Sequence, residues 1–328
     1  MSLPTVAILS TGGTISGESE NIFIAHNYHV GRVKINDLLG HINGVANFRI
    51  KEIANLDSSN MTHGVWLELA REIEECLDDP LITGVVLTHG SDTLEESAYF
   101  LHLVLKSSKP VVITGAMLPS NVAGSDGLKN LYHAIIVAMN PDSFGKGVMV
   151  VMNDKIYSAR EVSKVNTLSL ESFQAPNTGE MGCIVDHKVF FYTLPCKMHT
   201  RNTPFAIHCL KELPKVDIAY SYCDDGSKVA VEAFLKAGAK GIVVAGSGAG
   251  SIHIHQKSYL IELLKQKSIV VVKSSRVGSG LVVLNQEEVD QGFISGDNLN
   301  PQKARVLLML ALTKTNDVAQ IRKYFEEY

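Results

Sequence analysis

Short apolar runs alternate along the chain with longer stretches in which apolar residues recur at helical spacing. Val6-Ala7-Ile8-Leu9 is apolar on both faces and stops at Thr11-Gly12-Gly13, which predicts a buried strand ending in a tight turn. The polar stretch 17–31 has no period and reads as a long loop, of a length that usually marks a functional lid or a disordered segment. Val65, Leu69, Ile73 and Leu77 then mark a helical face. Strands are expected at 84–88, 110–114 and 147–152, with helices at 93–105 and 128–139 between them. Two-sided apolar strands alternating with helices predict a large N-terminal α/β domain, residues 1–192, around a doubly wound, mostly parallel sheet. Residues 193–214, with Pro195, Pro204 and Pro214, lack such a pattern and read as a linker. The alternation restarts with strands at 216–220, 241–245 and 269–272 and helices at 229–237 and 259–265, giving a smaller C-terminal α/β domain, 215–328. Its last helix is punctuated by Asn300 as N-cap and Pro301 at the first helical position.

Charge and composition narrow the function. Among 328 residues there are 30 basic and 34 acidic ones, a net charge of −4, which leaves no basic footprint for nucleic acid or anionic membrane. No apolar run reaches the ~18 residues of a membrane helix. The five cysteines, Cys76, Cys183, Cys196, Cys209 and Cys223, are scattered without a C-x-x-C pair, so free and mostly buried thiols are expected rather than a disulfide framework or zinc site. The first residues show no basic, apolar, small-residue leader, so no signal peptide is expected.

Ligands in an open parallel sheet bind beyond the carboxyl ends of the strands, so chemistry is sought in the segments after the first and third strands. Thr11-Gly12-Gly13-Thr14-Ile15-Ser16-Gly17 has the glycine spacing of a phosphate loop, but Glu18 stands where that loop needs lysine. What remains is a tight turn, or a turn whose backbone N–H groups face an oxyanion beside the Thr14 hydroxyl. In Thr88-His89-Gly90-Ser91-Asp92-Thr93, Thr93 and Glu96 have capping-box spacing. That places Ser91 and Asp92 just ahead of a helix N-terminus, as plain capping residues or as a polarised hydroxyl and a carboxylate. Met152-Asn153-Asp154 closes a strand ahead of Lys164, a surface charge or a buried base. Gly246 to Ser251 lacks the spacing of a nucleotide loop, His253 and His255 lack a third metal ligand, and Trp66 reads as packing.

Together these runs resemble the bacterial-type L-asparaginases of the asparaginase/glutaminase family, closer to the type II branch. The resemblance rests on Thr11-Gly12-Gly13-Thr14-Ile15 and His89-Gly90-Ser91-Asp92-Thr93. Asn27-Tyr28-His29-Val30-Gly31, Met152-Asn153-Asp154 with Lys164, and the run from Leu299 to Arg305 support it. It implies an amidohydrolase that releases ammonia from L-asparagine, and from L-glutamine as a side activity, without metal or organic cofactor. Thr14 resembles the family's nucleophile, and Tyr28 the tyrosine beside it. Ser91, Asp92 and Lys164 resemble the second hydroxyl, its acid and its lysine. Ser58 matches the residue that binds the substrate α-carboxylate and Asp92 the one that binds the α-amino group. Gly13 and Ser59 line the same pocket. A glutamate from a neighbouring subunit, Glu287 or Glu288, completes it. Family members are usually tetramers built as dimers of dimers, so the C-terminal domain is expected to complete the site and the oligomer interface. The resemblance implies a periplasmic location for a mature type II form and a cytoplasmic one otherwise.

The sequence departs from that pattern. The family normally has threonine where Ser91 stands, and its Ser-Gln pair reads Ser58-Ser59. Ala249 replaces an asparagine of some members, and these last two changes fall where asparagine and glutamine are distinguished. The rival readings are an amino-acid-binding protein without turnover and a broad glutaminase-asparaginase. A third, an amidotransferase subunit acting on tRNA-linked glutamine, needs added domains for which this chain has no room.

Overall fold

The computed structural model describes residues 3–208, 210–224 and 228–328. Two compact units, Met1–Lys211 and Glu212–Tyr328, make up the chain. Among the described residues no helix is long and apolar enough to cross a membrane.

The first unit begins with β1 (Thr5–Gly12), followed by a hairpin of β2 (Glu18–Ser19) and β3 (Tyr28–His29), then α1 (Ile35–Gly40) and β4 (Asn47–Leu56). Next come α2 (His63–Asp78), β5 (Ile82–Thr88), α3 (Leu94–Val104), β6 (Val111–Thr114), α4 (Gly127–Met139) and β7 (Val148–Met152). The unit continues through β8 (Lys155–Ser158), β9 (Ser163–Lys164), β10 (Phe173–Gln174), β11 (Gly182–Val185) and β12 (Lys188–Phe191). Eight strands form one sheet in the order β12-β11-β8-β7-β6-β5-β1-β4. The five from β7 to β4 are parallel, and β8, β11 and β12 extend the sheet antiparallel. Val6, Ile8, Val86, Val112, Met149 and Val151 are fully buried against Leu131, Ala134 and Ile135 of α4, which is why these strands read as unbroken apolar runs.

From β1 the chain passes to β4 on one side and then to β5 on the other. The direction of sheet growth therefore reverses at β1, and the crevice such a reversal leaves lies beyond the carboxyl ends of β1 and β5. β4 escapes the apolar-run criterion because it is an edge strand, with most of Asn47 to Leu56 exposed or half-buried. The stretch 17–31 carries a short hairpin rather than only loop. Asn153 and Asp154, with φ of 51° and 66°, form the two-residue turn between β7 and β8. Asp154 there pairs with Lys129 at 2.6 Å and with His133 at 3.1 Å, so this motif turns a hairpin rather than supplying chemistry.

Most of the expected linker packs on the first unit. Phe205 and Ile207 are fully buried, Lys106 Nζ donates to the Thr200 and Thr203 carbonyls (3.1 and 2.8 Å), and Arg71 donates to Leu210 O (2.7 Å). The prolines break periodicity without freeing the segment.

The second unit runs β13 (Val216–Tyr220), α5 (Lys228–Lys236), β14 (Gly241–Gly246), α6 (Ile254–Lys265), β15 (Val270–Ser275), α7 (Gln286–Asp290), β16 (Ile294–Ser295), α8 (Pro301–Leu312) and α9 (Val318–Glu327). Its four strands are parallel in the order β13-β14-β15-β16 around Ile242, Val244, Val271, Leu260 and Phe293. Asn300 accepts the Lys303 N–H at 3.0 Å with Pro301 at the first helical position, the cap that the sequence predicts. α6 starts five residues earlier than its apolar period indicates, with His253 as N-cap accepting the His255 N–H. The His253/His255 pair is thus a helix start. α9, held by the buried Ile321 and Phe325, follows the helix expected to be the last, although Val318, Ile321 and Phe325 recur at helical spacing.

Candidate active site

Three loops meet at the crevice beyond β1 and β5, and glycine backbones let them touch. A Cβ on Gly13 (φ +83°) would lie 2.4 Å from Gly90 Cα, and one on Gly90 would lie 2.7 Å from Ser58 Oγ. No other residue fits either position without moving backbone. The loops are also tied directly, by Thr11 Oγ1 donating to Thr88 O at 3.1 Å and Gly13 N–H donating to Leu56 O at 3.1 Å. Because the Gly13 amide is bonded in this way, any oxyanion donors here come from its neighbours.

Thr14 and Ser91 follow these two touching glycines. Thr14 is buried, and its Oγ1 lies 2.8 Å from the hydroxyl of Tyr28 on β3. Ser91 is buried as well, and Lys164 Nζ donates to its Oγ at 2.9 Å and to Asp92 Oδ1 at 2.6 Å. Lys164 reaches them from β9, whose register sets Lys164 opposite Phe173. Phe173 is fixed in turn, buried and accepting at its carbonyl the Tyr157 hydroxyl at 2.8 Å. The Lys164 side chain is only 16% exposed, whereas that of Asp92 is 60% exposed and open to a ligand.

Ser58 braces the second hydroxyl group. Its Oγ accepts the Asp92 N–H at 3.2 Å, and its carbonyl accepts the Thr93 hydroxyl at 2.8 Å. α3 does begin at Leu94, but Thr93 makes no side-chain cap because its hydroxyl holds Ser58 instead. Ser59, expected to face the ligand, gives its hydroxyl to Asp57 Oδ1 at 2.8 Å within its own turn. The first unit therefore gathers Gly13, Thr14, Tyr28, Ser58, Ser91, Asp92 and Lys164 around one crevice. Glu287, Glu288 and Ala249 belong to the second unit.

The family model "Asparaginase, N-terminal" matches residues 5–197, and the model "Glutaminase/Asparaginase C-terminal domain" matches 215–325. The chain belongs to the asparaginase family. It is 44% identical to "L-asparaginase 2" of Bacillus subtilis, over 99% of this chain and 87% of that protein. It is 41% identical to the "Glutaminase-asparaginase" of Pseudomonas fluorescens, over 99% and 91%. The crystal structure of a "Probable Cytoplasmic L-asparaginase" from Campylobacter jejuni superposes with a TM-score of 0.97 at 52% identity, covering 99% of this chain and 100% of that one.

Other features of this asparaginase-family chain were missed in the sequence. Trp66, taken as packing, does stack on Phe100 and His63, but its indole N–H also donates to Ser97 Oγ at 2.7 Å. Ser97 Oγ lies 2.8 Å from His89 Nε2, and His89 Nδ1 lies 2.7 Å from Gly90 O. With Trp66 donating, Ser97 donates to Nε2 and the proton on Nδ1 goes to Gly90 O, one tautomer that satisfies every group. Residues 89, 66 and 97, scattered over three sequence segments, gave no pattern to find.

Complete burial pushes His89 down to about 4, partly opposed by its bond to Gly90. Because the unfolded chain binds that proton first, stability is whole above pH 6.5 and falls towards pH 4, by roughly 3 kcal/mol. Chemical denaturation at pH 7.5 and 4.5 should show this loss. His89→Gln, which removes the titrating group, should reduce the difference. An equal loss in the variant would assign the acid sensitivity elsewhere.

In the second unit, Glu288 is buried and held by Lys273 (2.6 Å) and Lys257 (3.0 Å), and it closes a capping box with Asn285. Burial alone would raise its carboxyl, but these lysine hydrogen bonds hold it below the ordinary range. Glu287 is exposed and bonds only locally, to Gln291 at 2.8 Å. Cys76 is buried, Cys183 partly so, and Cys196 and Cys223 are exposed, so the thiols are less buried than expected; Cys209 lies outside the described residues. Among the described residues no group of three or more His, Cys, Asp or Glu is placed to hold a metal ion.

Proposed function

We propose that this chain hydrolyses the side-chain amide of L-asparagine to L-aspartate and ammonia, through an ester formed on Thr14. The supporting observation is the pairing of two buried hydroxyls, each with its own partner, next to the touching backbones of Gly13 and Gly90. Thr14 Oγ1 attacks the carboxamide carbon while its proton passes towards Tyr28, the hydroxyl already bonded to it. The C–N bond breaks and nitrogen leaves as ammonia with that proton. Water, oriented by Ser91 and the Lys164–Asp92 pair, then cleaves the ester and restores Thr14. Backbone N–H groups following Gly13 and Gly90 stabilise the oxyanion.

The same site reads the amino acid. Ser58 Oγ accepts from the Asp92 amide and keeps its own proton for the substrate carboxylate, and the exposed side of Asp92 receives the α-ammonium. Since Lys164 already offsets the charge of Asp92, a second carboxylate on the ammonium favours binding. Glu287 of a second copy is the candidate, because Glu288 is committed to two lysines. This reading requires at least a homodimer, and the family resemblance extends it to a tetramer built as a dimer of dimers. With Ser59 turned onto Asp57, asparagine is favoured over the longer glutamine.

Incubating the purified protein with 1 mM of either amide and measuring ammonia tests this. Rapid release from asparagine and slower release from glutamine are expected. Saturable binding of asparagine without ammonia would establish an amino-acid binder instead.

A further inference from the structure

The hairpin that carries Tyr28 has an anchor which the catalytic reading does not use. The loop between β6 and α4 is stiffened by Asp126, whose carboxylate accepts the Met117 N–H at 3.0 Å from each oxygen, the Leu118 N–H at 3.0 Å and Asn130 Nδ2 at 2.9 Å. That loop then meets the hairpin segment at several points. Ser120 donates both its N–H and its hydroxyl to Gly17 O, at 3.0 and 2.8 Å. Ala123 N–H donates to Ile22 O at 2.9 Å. Between them, Asn121 Oδ1 accepts the Ser19 N–H at 2.9 Å, and Asn121 Nδ2 donates to Ser19 O at 2.7 Å.

A neighbouring strand would offer Ser19 the same acceptor and donor pair. Asn is one of the two side chains that carry both groups on a planar amide, so Asn121 takes the place of a third strand on the open edge of β2. Ser19 lies opposite Tyr28 in the register of β2 and β3. Because the N–H and C=O of Ser19 both turn to Asn121, the Ser19–Tyr28 pair is the type without mutual hydrogen bonds, in which side chains lie closest. A path of direct contacts thus runs from Asn121 through Ser19 to Tyr28 and on to Thr14 Oγ1.

We propose that Asn121 is a positioning residue for amide hydrolysis, clamping the hairpin so that the Tyr28 hydroxyl stays on Thr14. Asn121 touches no reacting atom in this scheme and acts only through Ser19 and Tyr28. Its contribution rests on the hydrolase reading above, so the test includes a measurement that does not depend on turnover.

Asn121 is exposed, and its replacement leaves the core intact. Two hydrogen bonds of ordinary net strength correspond to about a tenfold effect, so Asn121→Ala should lower kcat/KM for asparagine about tenfold. Limited proteolysis within residues 20–27 should quicken by a similar factor. Asn121→Asp keeps an acceptor for the Ser19 N–H but sets a carboxylate against Ser19 O, and should do no better than alanine. In a Tyr28→Phe background the hydroxyl to be positioned is gone, so Asn121→Ala should there cost less than about twofold in rate. A merely structural role would give the same fractional loss in both backgrounds, and that result overturns the proposal. Wild-type cleavage together with wild-type turnover in Asn121→Ala overturns it too. If the unmodified protein releases no ammonia from asparagine, the hydrolase reading fails by itself. Cleavage then decides whether Asn121 clamps the hairpin, faster cutting supporting the clamp and unchanged cutting ending it.

Discussion

Thr14→Ala protein should bind asparagine and release almost no ammonia, with turnover down by at least ~10³-fold. The size follows from what is removed. Without Thr14 Oγ1, Tyr28 loses its hydrogen-bond partner at 2.8 Å, and no ester can form at that position. The groups that read the amino acid, Ser58 and Asp92, are held by each other and by Thr93 and Lys164 rather than by Thr14, so affinity should change less than threefold. Isothermal titration with asparagine, paired with single-turnover ammonia release, separates the two quantities. Thr14→Ser keeps an oxygen on the same carbon and should retain measurable activity. If Thr14→Ala instead accumulates an aspartyl ester on Ser91, detectable as a mass increase on the Ser91 peptide, the order of the two hydroxyls is reversed.

The parallel core and its crevice were legible because burial on both faces leaves a chemical trace. Val6 to Leu9, Val85 to Leu87 and Val148 to Met152 have no solvent side, hence no polar alternation, and their boundaries follow. β4 left no such trace, since an edge strand can be polar along most of its length without losing its ladder. Thr14 and Ser91 stood out as candidates for a different reason, beside readings as a plain turn and a helix cap, and Tyr28 and Ser58 took site roles only through the family resemblance. Gly13 and Gly90 must be glycine for two backbones to approach, and the hydroxyls follow them immediately in sequence. The residues that orient the site are another matter. Trp66, Ser97, Asn121 and Asp126 act through a few hydrogen bonds each, over spacings that only the fold creates. Thr93 shows how the same residue type misleads. Its spacing to Glu96 is that of a capping box, but its hydroxyl is drawn to Ser58 O, a partner 35 residues away.

The Lys164–Asp92 pair gives the second large effect, and its burial decides how to read it. With the Asp92 side chain 60% exposed, such a pair contributes only about 0–1 kcal/mol to stability. Lys164→Met should therefore shift Tm by no more than a few degrees, while kcat falls by ~10²–10³-fold. The fall is expected because the ammonium is the donor to Ser91 Oγ as well as to Asp92 Oδ1, and both groups lose their orientation together. KM should change much less, since Asp92 keeps its amide bond to Ser58 and remains open to the substrate ammonium. The decisive comparison is the double variant. If Lys164 acts through Ser91, then Ser91→Ala combined with Lys164→Met should be no slower than the worse single variant. Multiplying losses would mean that Lys164 works on Thr14 or on the leaving nitrogen by another route. A Tm drop of 10 °C or more in Lys164→Met would mean that the pair holds the fold, and its effect on rate would then be secondary.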